Sequence, residues 1–285
     1  MTKLLVIPNK LNLDEYDCDG FILGLKNYSV NMPYSYSLDE IKNINTDKEL
    51  FVAINKNIFS REIDDLKVIL MELNKLNIKG ILYADTALVN LKKELNLNVD
   101  LVWSQEHLTT NYETINYWNS YGVNYAYVSS DITLREIKEI KEKAQTKLIV
   151  PIFGYMPIFT SKRHEVKNYL DNFNLSDNSK INYIEKEGKI YPIVDDIEGT
   201  VVYTDYILNG YKEYKELDVD YVTLNTFNIE DQLFKDVLKV FRDKKQDDLE
   251  LDNSSKGFLY SETIYKVKRW LYARVISASR WYRKT

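Results

Sequence analysis

Cysteine occurs once in the 285 residues, at Cys18, and histidine twice, at His107 and His164. One thiol excludes an intramolecular disulfide, and it excludes any zinc or iron–sulfur site held by the cysteines of a single chain. Two histidines without an HExxH spacing leave carboxylates as the main ligands, so neither a metal nor a cofactor is expected. Gly20 and Gly24 lack the spacing and the lysine of a phosphate loop, and no Gly-x-Ser-x-Gly elbow announces a nucleophile. No apolar run approaches the roughly 20 residues that cross a bilayer, and no basic segment with a long apolar core precedes residue 30. A soluble, cytoplasmic protein without a membrane span is therefore expected. The net charge of −5, of mixed signs, gives no general attraction to nucleic acid or anionic membrane.

What the sequence does contain is a rhythm. Short apolar runs recur at Leu4 to Ile7, Phe21 to Leu25, Leu50 to Ile54, Gly80 to Tyr83, Val99 to Trp103, Tyr125 to Val128, Leu148 to Phe153 and Asp220 to Leu224. Helical patterns separate most of them, clearest at Ser60 to Leu76, where Ile63, Leu66, Ile69, Leu70 and Leu73 share one face and Ser60 is placed to cap. Alternating strands and helices imply parallel strands with crossover helices, and eight such strands predict a (β/α)8 TIM-type barrel ahead of a doubly wound sheet. The stretch from Phe173 to Tyr206 breaks the rhythm. Its turn signals at Glu187-Gly188 and Glu198-Gly199 predict paired strands, a small β insertion after strand seven. Residues 1–257 are thus expected to form the barrel with its insertion at about 173–206, and 258–285 a C-terminal extension.

A barrel builds its site at the C-terminal strand ends, which here offer Asn55, Asp85, Glu106, Asp131, Gly154 and Asn225. Trp103-Ser104-Gln105-Glu106-His107 is the densest cluster, and its carboxylate could bind or move protons. Helix capping explains Glu106 equally well and His107 better. Asp195-Asp196 lie adjacent in an expected strand, where successive side chains face opposite sides, so a solvated turn suits them better than an acid and base pair. Strand seven ends at Gly154 and is followed by Ser161-Lys162-Arg163-His164, which reads as a helix start able to cradle an anionic small molecule through a carboxylate or phosphate, or equally as a solvent-facing first turn; its place after the strand-seven glycine favours the first. Arg163 is the better ligand because its fork can bind in two places. From Glu262 onward no acid remains, while Lys266, Lys268, Arg269, Arg274, Arg280, Arg283 and Lys284 gather with Trp270, Tyr272, Trp281 and Tyr282. Such a tail suits RNA or an anionic surface, although its abrupt composition could equally mark a terminus without a role.

Several segments together resemble the U32 peptidase family of collagenase-like peptidases, and within it the shorter subgroup linked to tRNA wobble-uridine hydroxylation. They are Leu101-Val102-Trp103-Ser104-Gln105-Glu106 with Asn116-Tyr117-Trp118, then Phe153-Gly154 with Ser161-Lys162-Arg163. Tyr191-Pro192-Ile193-Val194-Asp195-Asp196 with Gly199-Thr200 follows, and Gly257-Phe258-Leu259-Tyr260 closes the series. The resemblance implies a barrel, and either hydrolysis of peptides or tRNA modification. It also implies tRNA and a larger family member as partners. Relatives with two signature cysteines can hold an iron–sulfur cluster, but Pro157 and His164 stand at those places here. Many relatives carry a lysine and an acid on the eighth strand, where this chain has Thr223 and Asn225, which points to a divergent or non-catalytic member. The expected catalytic residues are Glu106, Asp85 and Asn225; Arg163, Lys162 and Asn55 are expected to bind substrate.

Overall fold

A computed structural model describes residues 2–177, 179–196 and 198–261; the basic tail lies outside the described residues. The first strands are β1 (Lys3–Ile7), β2 (Gly20–Leu25), β3 (Ser35–Tyr36), β4 (Glu49–Ile54), β5 (Gly80–Tyr83), β6 (Asp100–Trp103), β7 (Tyr125–Tyr127) and β8 (Lys147–Gly154). Next come β9 (Pro157–Ser161), β10 (Asn182–Lys186), β11 (Lys189–Asp196), β12 (Gly199–Tyr203), β13 (Ile207–Asn209), β14 (Tyr221–Asn225) and β15 (Ser254–Ser255). The helices are α1 (Leu38–Lys42), α2 (Ile63–Leu73), α3 (Ala87–Glu94), α4 (Tyr112–Asn119), α5 (Leu134–Lys143), α6 (Glu165–Asn172), α7 (Tyr211–Tyr214) and α8 (Asp231–Asp243).

Eight parallel strands, β1, β2, β4 to β8 and β14, close into a barrel because β14 pairs with β1 on one side and β8 on the other. Closure leaves the strands buried on both faces, and all six residues of β2 are buried. Leu5, Ile7, Ile22, Phe51, Ala53, Leu82 and Val102 turn into the lumen, whereas their neighbours Leu4, Val6, Leu23, Val52, Ile81 and Leu101 pack against the helices. The lumen includes an aromatic triangle, with Phe51, Tyr125 and Tyr221 rings 5.6 to 6.1 Å apart. Leu134, Ile137 and Ile140 are the buried stripe of α5, whose first turn Thr133 and Glu136 cap reciprocally. The turn before α2 differs from expectation. Ser60 opens a short 3₁₀ turn instead of capping, and Glu62 reaches back to accept the Phe59 N–H at 2.8 Å.

The β insertion after the seventh barrel strand is a four-stranded antiparallel sheet ordered β10-β11-β12-β9. It takes in β9, upstream of Phe173, so the chain enters the sheet directly from the barrel rim. Ser161 consequently ends a strand, and the helix opens only at Glu165; Lys162, Arg163 and His164 form the link. Gly199 starts β12 at φ +126, and a Cβ there would sit 2.0 Å from the Ser161 carbonyl oxygen, so only glycine lets β12 meet β9. The sheet folds over the barrel mouth. Tyr203 stacks on Phe227 at 3.8 Å, and the Tyr183 hydroxyl donates to Asn228 Oδ1 at 3.3 Å. On the barrel's outside, buried Glu213 holds Lys256 at 3.1 Å and accepts the Tyr260 hydroxyl at 2.9 Å, fastening the last described segment.

Candidate functional site

A cavity of about 360 Å³ lies at the C-terminal strand ends, between the lumen and the insertion. Its walls bring together Asn55, Glu106, Asn225 and Lys162 of the expected residues. They also bring in Lys56, Tyr127 and Glu198, none of which the sequence marked as a site residue. Lys56 follows Asn55 at a strand end and could have been found by extending that position by one. Glu198 joins it only through the fold of the insertion.

Glu106 is the most perturbed group in the cavity. Burial, followed by the negative charge of Asp131, pushes its carboxyl up to about 8, and no hydrogen bond opposes the shift. A carboxyl in that state is protonated near neutrality and can donate a hydrogen bond or a proton. Asp131 also accepts from or faces His107 Nδ1 at 3.0 Å, which fixes the exposed imidazole at the rim. Deeper in, the Tyr127 hydroxyl lies 2.9 Å from Thr223 Oγ1. Burial, with a lesser push from Glu106, holds the Tyr127 hydroxyl up at about 12, so it stays neutral. Thus a neutral hydroxyl pair links β7 to β14, the eighth barrel strand.

Lys56 is almost wholly buried between Glu62 at 2.8 Å and Glu198 at 3.0 Å, over the Tyr28 ring. Burial pulls its pKa down, but the two carboxylates outweigh that and raise it, so it remains an ammonium. This ion triad ties the turn of the insertion to the loop after β4. Lys162 lies over the Phe59 ring at 4.2 Å, a second tie between insertion and barrel.

Other expected residues are occupied by structural tasks. The Asn55 amide accepts the Val30 N–H at 2.9 Å and donates to the Val30 carbonyl at 3.1 Å, pinning the loop after β2 at the cavity edge. Asp85 is not among the cavity-lining residues; its carboxylate accepts the N–H groups of Ile58 and Ala87, both at 2.9 Å. Asn225 lines the cavity while its Oδ1 accepts the Phe227 N–H at 2.9 Å. Arg163 lies outside the cavity, where its carbonyl accepts the Thr200 hydroxyl at 2.7 Å. The N-terminus of α6, expected to cradle an anion, already holds one of the chain's own. Asp195 accepts the N–H groups of Val166 and Lys167, at 3.4 and 2.9 Å, so the dipole and donors are satisfied internally. Asp196 turns to the other side of the sheet and accepts the Glu198 N–H at 2.7 Å within the turn.

The pattern that defines peptidase family U32 matches residues 13–213, most of the chain. The chain belongs to peptidase family U32. It is 23% identical over 310 aligned positions to tRNA hydroxylation protein P2 of Bacillus subtilis (strain 168), covering 92% of this chain and 99% of that protein. It is also 23% identical over 161 positions to tRNA hydroxylation protein P1 of the same organism, covering 54% of this chain but 38% of that longer protein. A solved structure of the U32 peptidase Mk0906 superposes with a TM-score of 0.50 and 16% sequence identity, over 79% of this chain and 92% of that one. That likeness concerns the fold, and it agrees with the closed barrel of this U32 chain. Among the described residues no cluster of three or more potential ligands could hold a metal ion, and no helix is long and apolar enough to cross a membrane.

Proposed function

We propose that the chain takes part in tRNA hydroxylation at the wobble uridine, with the mouth cavity as its site. The observation that carries this reading is the end-to-end correspondence with tRNA hydroxylation protein P2. The cavity chemistry is compatible with it. Glu106 would donate or accept a proton at the base or at a small co-substrate, Asn225 would contribute a polar contact, and Lys162 would supply positive charge at the entrance for an anionic small molecule or an RNA phosphate. Asp85 and Asn55 would act by holding the loops that shape the cavity, and Arg163 by contact outside it. A tRNA substrate places the protein in the cytoplasm. A larger member of the family, as P1 is relative to this chain, would be its partner.

A peptidase acting on collagen-like or other peptides is the second reading, favoured by the His107–Asp131 pair with Ser104, Ser129 and Ser130 around the same cavity. It needs a serine hydroxyl bonded to the imidazole. The Ser129 hydroxyl instead accepts the Asp131 N–H at 3.1 Å, and among the described residues none bonds to His107. A third reading, a non-catalytic partner of the larger member, follows from the uncharged eighth strand. Deleting the gene and measuring wobble hydroxylation by RNA mass spectrometry tests the first reading: the modification should fall, and restoring the wild-type gene should recover it. Recovery by Glu106→Gln would move the role from catalysis to partnership, whereas unchanged hydroxylation in the deletion strain would remove the assignment altogether.

A further inference from the structure

Strand β10 is a free edge of the insertion sheet: among the described residues it pairs with β11 on one side and with no strand on the other. An edge of this kind is a template for another strand unless charge, proline or a bulge blunts it. The hairpin turn at Glu187-Gly188 has positive φ at both residues, 54 and 75, and joins Lys186 directly to Lys189. In such a two-residue turn the flanking pair is hydrogen-bonded, and bonded and non-bonded pairs then alternate along the ladder. Lys186, Ile184 and Asn182 therefore bond inward to β11. Tyr183 and Glu185 send their N–H and C=O groups outward. The partner of Tyr183 is Pro192, which has no N–H to give, as this alternation requires.

We propose that β10 pairs antiparallel with β10 of a second copy of this chain, centred on Ile184, joining two insertion sheets across a two-fold axis. The register follows from which groups point outward. Pairing Tyr183 with Glu185 of the second copy lets both outward residues exchange bonds, and symmetry repeats the exchange. The same register sets Ile184 against Ile184, extends the row through Tyr191 on each side, and places Lys186 opposite Asn182. Shifting it by two residues to face Glu185 with Glu185 would oppose like charges. Ile184 and Tyr183 are 41% and 57% exposed in the single chain, so apolar surface is available to be covered. The edge carries one charge of each sign, and this arrangement leaves neither facing its like.

The register can be read directly by crosslinking the full chain. Ile184 faces its own copy in a non-bonded pair, where Cα atoms stand about 4.5 Å apart, within disulfide range. The native Cys18 is buried and does not compete. Mild oxidation should convert Ile184→Cys to a covalent dimer, while Glu185→Cys, which faces Tyr183, should remain uncrosslinked. Glu185→Pro removes an outward N–H without touching the β11 ladder, so sedimentation should change from dimer to monomer with the melting temperature retained. A wild-type monomer in sedimentation would overturn the proposal, as would crosslinking of Glu185→Cys in preference to Ile184→Cys. Loss of the fold in the proline variant would leave the two cysteine variants to decide. None of these results depends on tRNA, so they stand apart from the fate of the functional assignment.

Discussion

Replacing Glu106 by Gln tests the raised carboxyl at the centre of the cavity. Gln has the shape of the protonated acid and cannot ionise. Burial, with Asp131 adding to it, takes the carboxyl from the ordinary 4.5 to about 8 in the folded protein. Below the ordinary value both states hold the proton, and the group has no effect on stability. Between about 4.5 and 8 the unfolded chain releases the proton while the folded chain keeps it, so wild-type stability falls as pH rises, and above 8 the loss is complete. At about 1.4 kcal/mol per pH unit the full penalty is about 5 kcal/mol, and the partial solvent access of a group at a cavity mouth reduces it to about 2–3 kcal/mol. Urea denaturation of both proteins at several pH values should show them nearly equal at about pH 4.5, with Glu106→Gln pulling ahead by that amount by about pH 8 to 9. A difference that is constant across this range would refute the reasoning, because a packing or hydrogen-bond effect has no such window.

Three further outcomes are expected. Lys56→Met leaves Glu62 and Glu198 facing each other without their cation, which should cost about 2–3 kcal/mol and lower the melting temperature by roughly 5 °C or more, read by calorimetry. Gly199→Ala drives a methyl group into the Ser161 carbonyl at a φ that alanine avoids, so a loss of at least about 2 kcal/mol should appear in denaturant melts. Cys18 is buried, and burial above all pushes its thiol up to about 12; native protein should therefore react slowly with a thiol reagent, and reaction should become fast only on unfolding.

The sequence by itself determined the barrel. Parallel strands buried on both faces must be continuous apolar runs, and crossover helices must carry an apolar stripe, so both are written locally in segments such as Leu50 to Ile54 and Leu134 to Ile140. The insertion's two hairpin turns were equally legible, because Glu187-Gly188 and Glu198-Gly199 are local chemistry. What only the tertiary structure decided is which polar groups meet. Glu198 reaches Lys56 across 142 positions of the chain, a pairing no spacing announces. Asp195 fills the helix terminus that Lys162 and Arg163 had marked as an anion cradle, because the sheet brings a carboxylate to the donors before any ligand can. Glu106 was visible as a residue at a strand end, but its retained proton was not. That depends on how much water the surrounding walls exclude and on the nearness of Asp131, and both are properties of the closed barrel mouth.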